Sequence, residues 1–250
     1  MRKKILYGAL CVALSAMLIG CGNSDDKTTE AKDNEINTET VSSEEAVSTK
    51  EEAETTEAAK SDVEFKDVSA MSYDDAAAYL EALPESPASD FTIVEFGSSR
   101  HTDKFLSEGE CLIGEYTGTD SIVIVPEEIN GYKVVGVAGL AFALNDTMTA
   151  VKLPATTKVI QSHAFAPCSK LSVITGIDNV ETLGEACFST GSTLRIKFTD
   201  SVTSAPESPL VLYSGYGEVY VKKDSYLAGE KFFGGYEETN ENSAFQIIFY

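Results

Sequence analysis

The chain repeats itself at a fixed interval, and that interval restricts its folds more than any other feature. Phenylalanines recur at Phe142, Phe165 and Phe188, 23 residues apart each time. Six positions after each stands a closing apolar residue, Met148, Leu171 or Leu194. Five positions before each stands another, Val137, Ile160 or Leu183. A unit this short cannot bury its apolar side alone, so successive copies must stack and cover one another. The spacing therefore predicts coils piled in register, with these nine residues forming interior rows.

The stretch after each closing residue supplies a strand. Leu171, Ile174, Gly176 and Asn179 fit an LxxLxLxxN template, and Met148, Val151, Leu153 and Thr156 follow it loosely. One such strand per coil would stack about 4.8 Å from its neighbours. Ala141, Ala164 and Cys187, each directly before a phenylalanine, are small enough to let adjacent coils approach. The turn that follows has Asn145, Cys168 or Gly191 as its third residue, where Asn and Gly suit a positive φ. Cys168 reads there as a small, partly buried corner residue. Each phenylalanine held between coils contributes roughly 1.5–3 kcal/mol.

The phrases PEEINGYKVVGVAGLAF, KLPATTKVIQSHAFAPCSKL and VETLGEACFSTGSTL resemble the BspA-like leucine-rich repeats of bacterial surface proteins. GEYTGTDSIVIVPEEINGYKV resembles an opening coil with an Asn130-Gly131 turn, and GEVYVKKDSYLAGEKF a closing segment. The resemblance runs from about Glu110 to Phe233. It departs from the pattern after Leu194, where RIKFTDSV is one residue short and Pro206 and Pro209 replace the Ala-Phe motif. The fold it implies is an α/β-type repeat solenoid of about three to four coils, with a small N-terminal helix/strand cap and a β-rich C-terminal cap. Ser72 and Asp75 form a capping box for a helix over MSYDDAAAYLEALPE, and FTIVEF alternates as a strand. The tail FQIIFY is uncharged and aromatic, and is expected to pack as a last strand.

The N-terminal part reads differently. Arg2, Lys3 and Lys4 precede an apolar run to Ile19, too short for a convincing stop-transfer helix. Leu18-Ile19-Gly20-Cys21 resembles a bacterial lipobox, which implies cleavage before Cys21 and lipid attachment to it. Residues 22–62 carry thirteen acids, four lysines and no aromatic residue, so they cannot bury enough surface to fold. The expected organisation is a signal peptide over 1–20, an acidic tether over 21–62 and an N-terminal cap over 63–109. The solenoid follows over 110–206 and a C-terminal cap over 207–250.

Charge and chemistry narrow the function. Residues 63–250 carry a net charge of −15, a poor match for nucleic acid or anionic headgroups. Cys111, Cys168 and Cys187 remain outside the signal and lipobox, an odd number that implies no complete disulfide framework. His101 lies in the polar stretch GSSRHTDK, and His163 occupies a repeat position matched by Leu140 and Ala186. No zinc, P-loop or nucleophile-elbow motif occurs, so no cofactor, no metal and no enzymatic activity are expected.

What remains is surface. Lys152, Thr175 and Lys197 fall at the outward position of successive strands, with Ile124 in line and Arg195 nearby. This column reads as a recognition stripe for an acidic peptide or glycan, or as lysines that discourage edge pairing. Tyr213, Tyr216, Tyr220 and Tyr226 make a second candidate. The resemblance implies a lipid-anchored, extracytoplasmic protein at the bacterial cell surface, held to the membrane through Cys21 and binding an extracellular protein or glycan as an adhesin. The alternatives are a structural or assembly component of the envelope and, less favoured, a solute-binding lipoprotein serving a transporter.

Overall fold

The computed structural model describes residues 65–98, 103–190, 193–207, 209–212, 217–229, 232 and 245–250, all within one unit, Lys60–Tyr250. Cys21, the acidic tether, His101, Gly191, Tyr213 and Tyr216 lie outside the described residues.

Among the described residues one α-helix, α1 (Tyr73–Glu81), follows the short turn Val68–Ala70, and its start is written in the sequence. Ser72 Oγ accepts the Asp75 N–H and donates to the Asp75 carboxylate at 2.7 Å. Strand β1 (Phe91–Glu95) then pairs antiparallel with β2 (Glu110–Tyr116), closing the first edge of a sheet, here sheet A. β3 (Ile122–Ile124) begins sheet B, and its exposed edge is met by Ser86. Ser86 N donates to Ile124 O at 2.8 Å, and Ile124 N donates to Ser86 Oγ at 3.0 Å. β4 (Glu128–Ile129) and β5 (Tyr132–Val137) form the hairpin expected at Asn130-Gly131, both with positive φ.

From there the chain winds. β6 (Ala150–Lys152) joins sheet B, β7 (Val159–Ile160) sheet A and β8 (Phe165–Cys168) a third sheet, C. The next turn repeats the order with β9 (Val173–Thr175), β10 (Thr182–Leu183) and β11 (Phe188–Thr190), and β12 (Arg195–Phe198) begins the one after in sheet B. β13 (Leu210–Leu212) ends sheet C, while β14 (Gly217–Val221) and β15 (Phe245–Phe249) extend sheet B. The pairs between coils are parallel, in unbroken register in sheet B, for example Ala150↔Val173, Val151↔Ile174 and Lys152↔Thr175, and with a one-residue irregularity where β5 meets β2 and β11 meets β8. The result is a β-solenoid of about four turns. It corrects the expectation of one strand per coil, because complete turns carry three. The extra strands are two to four residues long, too short to leave a periodic signal.

The nine repeat residues are all buried, none more than 3 % exposed. Phe142 stacks on Phe165 with ring centroids 4.8 Å apart at 10°, and Phe165 on Phe188 at 5.7 Å and 17°. The ladder runs on through Tyr116 and Phe91 at one end and Phe198 at the other. In the shortened repeat Leu210 takes the phenylalanine register against Phe188. Sheet B strands send Val123, Val151, Ile174 and Ile196 into the same core.

Two turn expectations need revision. The left-handed residues that recur in the repeat are Leu140, His163 and Ala186, with φ between 47° and 66°, two positions before each phenylalanine. Cross-coil bonds hold this turn, such as Phe142 N to Ala164 O and Phe165 N to Cys187 O, both 2.9 Å. In the corner after Phe142 the left-handed residue is Leu144, at 60°, and not Asn145. Asn145 instead caps its corner through Oδ1, which accepts the Met148 N–H at 2.7 Å. Cys168 is fully buried and its thiol donates to Phe142 O at 3.0 Å. Gly176 does need its φ of +77°, since a Cβ there would overlap the Leu153 carbonyl.

Because Phe165 has a ring on each side, Phe165→Ala is expected to cost about 3–5 kcal/mol. Urea unfolding measures it; a loss below about 1 kcal/mol would mean that the ladder does not hold the coils together.

Candidate functional site

Strand alternation decides which side chains leave the core of sheet B. Ile124, Lys152 and Thr175 are direct cross-strand partners, and Lys197 continues the column through the Val173↔Arg195 pairing. The expected column therefore exists as a row. It is not an open face, because α1 packs over this side of the sheet. Val68, Ala76 and Leu80 form a second apolar cluster with Ile122, Ile124, Ala150 and Val173, leaving each of them at most 4 % exposed. The sequence placed this segment at the end of the stack. In the structure β1 covers that edge, whereas α1 lies across the sheet.

Three cations of sheet B meet α1 and the segment that leads into it. Arg195 is 6 % exposed, and its guanidinium donates to Val68 O at 3.0 Å, to Ser69 O at 2.9 Å and to Met71 O. The carbonyls of the short turn Val68–Ala70 and its exit thus solvate a charge that would be costly to bury bare. Arg195 is therefore a clamp inside the fold. Lys152 pairs with Glu81 at 2.8 Å and Lys197 with Asp74 at 3.4 Å. The Lys197 ammonium also lies 5.8 Å from the Tyr73 ring centroid and 5.2 Å from that of Tyr250. Tyr73 itself is buried, and burial, with Asp178 and Asp74 nearby, pushes its phenol pKa upward. Tyr220 meets Tyr73 at 5.9 Å and donates to Glu218 at 3.2 Å, so it belongs to this packing. Tyr226 is 44 % exposed against Phe232.

Alongside α1 the helix and the sheet leave a groove of about 530 Å³. Its floor is apolar, made by Ile124, Val125, Leu153 and Pro154. Lys152, Thr175 and Lys197 line it from the strands, and Glu81, Glu85, Glu127 and Asp178 from the helix, its following segment and the loops. Both lysines are already paired, whereas Glu85, Glu127 and Asp178 are exposed carboxylates. Thr175 is only 5 % exposed, and its hydroxyl has no hydrogen-bond partner among the described residues. The groove volume lies in the range of ligand clefts. Sequence reasoning finds Lys152, Thr175 and Lys197, reads Glu127 beside Glu128 only as solvated surface, and misses Glu85 and Asp178, which sit on the segment after α1 and on a loop.

Outside this groove the chemistry is quiet. Among the described residues no group of three His, Cys, Asp or Glu is placed to hold a metal ion. His163 sits exposed on its left-handed turn. The three described thiols are free and buried. Burial pushes the Cys111 pKa up to about 11 and that of Cys168 to about 12, with Cys187 also raised. No helix among the described residues is long and apolar enough to cross a membrane.

Comparison with known proteins agrees with this geometry. Residues 138–240 match the BspA type leucine rich repeat region in six copies. The match starts after the opening coil expected at Glu110 and extends past Phe233. No curated protein matches the chain. Among solved structures, a crystal structure of a T. pallidum leucine rich repeat protein is similar at 17% identity and a TM-score of 0.35. That alignment covers 60% of this chain and 80% of the other.

Two outcomes follow. Losing a charged donor costs about 1.5–3 kcal/mol per bond, so Arg195→Ala should release α1. Hydrogen exchange is expected to quicken across Tyr73–Glu81 while β7 and β10 keep their protection; unchanged exchange in α1 would remove the clamp. Second, the thiols set an alkaline limit. Below about pH 9 they are neutral whether folded or unfolded; above it the unfolded thiols ionise while the folded ones, at about 11 and 12, stay protonated. Stability is thus full below about pH 9 and falls as pH rises through that window. Urea midpoints at about pH 7 and about pH 10 check this, a lower midpoint being expected at the higher pH.

Proposed function

We propose that this chain, whose residues 138–240 are BspA-type leucine-rich repeats, is a lipid-anchored, extracytoplasmic binding protein that meets a protein or glycan partner at the α1–sheet groove. Repeats of this type support a protein-interaction or adhesion role, and proteins built from them are generally non-enzymatic scaffolds exposed at the surface. The observation that carries the reading is the groove: a concave cleft that sets an apolar floor among charged side chains, held on a rigid stack.

The lipobox at Leu18-Ile19-Gly20-Cys21 supports anchoring, and the acidic stretch after it supports a spacer between the membrane and the fold. Several acyl chains on Cys21 would hold firmly, because each buried methylene contributes about 0.8 kcal/mol.

Fractionation of cells tests the anchor. Wild-type chain is expected in the membrane fraction with a lipid-modified N-terminal Cys21, and Cys21→Ser in the soluble fraction; a soluble wild type would remove the anchor. Crosslinking and mass spectrometry on intact cells tests the binding role. Crosslinks from the groove to extracellular proteins support adhesion, whereas crosslinks only to the cell's own envelope proteins would replace it with an assembly role.

A further inference from the structure

We infer that the groove takes a basic peptide segment, seated through a lysine or arginine side chain. The inference rests on the groove being the ligand site, and it reverses the charge expected of the ligand from the strand column alone.

The reversal comes from α1. Glu81 and Asp74 already supply the counter-charges of Lys152 and Lys197. An acidic ligand would have to displace these carboxylates and then face Glu85, Glu127 and Asp178. A cation meets the opposite field: three exposed carboxylates at the groove and a strongly negative chain around it, which also speeds encounter. The floor argues for a side chain of a particular build. Ile124, Val125, Leu153 and Pro154 offer an apolar strip bordered by acids. Lysine and arginine match this, since they lay a methylene stem on apolar surface and keep a charged head in polar surroundings.

Thr175 is the independent observation. Its side chain projects from the groove side of sheet B, in line with Lys152, and lines the cleft. Its hydroxyl is buried without a partner, an arrangement that costs free energy in the fold. Because that oxygen has under 1 Å² of accessible surface, a ligand N–H group satisfies it only by wedging the cleft open at Thr175.

The test uses the full chain in detergent and two dye-labelled, capped octapeptides, one alternating lysine and alanine, the other glutamate and alanine. Fluorescence anisotropy at about 0.15 M salt limits long-range attraction. Asp178→Asn with Glu127→Gln removes two groove charges. Glu108→Gln with Glu185→Gln removes two exposed charges that do not line the groove, leaving the same net charge. The lysine peptide is expected to bind, and the groove pair to weaken it about five- to tenfold, the size of two partly exposed charge contacts. The remote pair should change it less than about twofold by the same reasoning. Thr175→Val should weaken the lysine peptide while leaving the urea midpoint equal or higher, an outcome that a purely structural threonine would not give.

Groove-dependent binding of the glutamate peptide would overturn the basic class while keeping the groove as the site. Equal losses from both charge pairs, or no binding of either peptide that depends on the groove, would overturn both.

Discussion

Register between coils is the constraint on which everything else depends, and a stack of aromatic rings enforces it. Phe142, Phe165 and Phe188 lie nearly parallel, face to face, at the spacing of stacked strands. A one-residue slip in any coil would break the stack and turn a row of core residues outward, so each turn is held to the one before it. The shortened fourth repeat obeys the same rule with different residues. Leu210 fills the phenylalanine register, and Phe198, reaching in from sheet B, ends the ladder. The small residues Ala141, Ala164 and Cys187 are fully or almost fully buried beside the rings, where a larger side chain would force the coils apart.

That regularity explains why the outer face of sheet B can act as a platform. Its strands deliver equivalent positions at fixed intervals, so the row Ile124, Lys152, Thr175 and Lys197 follows from the winding. What the row does depends on the helix laid over it. The apolar half of the helix covers Ile122, Ala150 and Val173, its acids balance the lysines, and the uncovered remainder becomes a cleft. Surface ion pairs alone are worth little. The apolar cluster and the Arg195 clamp therefore hold α1, and the lysine pairs chiefly set the local charge.

The sequence made the stack legible because core rows recur at one period and each phenylalanine has a partner 23 residues away. The helix start at Ser72 and the Asn130-Gly131 hairpin were legible for a local reason: their bonds join residues no more than a few positions apart. Three things were not. The two-residue strands β7 and β10 gain their strand character from neighbouring coils, not from their own pattern. The left-handed turns fall on Leu140, His163 and Ala186, residue types that local preference would not choose, and cross-coil bonds override that preference. The docking of α1 joins residues up to 127 positions apart, as between Arg195 and Val68, and no local periodicity encodes such a contact. The candidate site shared that divide: its strand lysines could be read, its loop acids could not.

A stack in which each layer touches only the next can fray from its last layer inward. Here α1 contacts β6, β9 and β12, so one short rod spans three successive layers, and Ser86, just beyond it, meets β3 in the layer before. The rod acts like the spine of a bound book: no page can lift without straining the binding. Because Arg195 on β12 holds the carbonyls of Val68, Ser69 and Met71 just ahead of this rod, a pull along the chain from that side loads a page and the spine together.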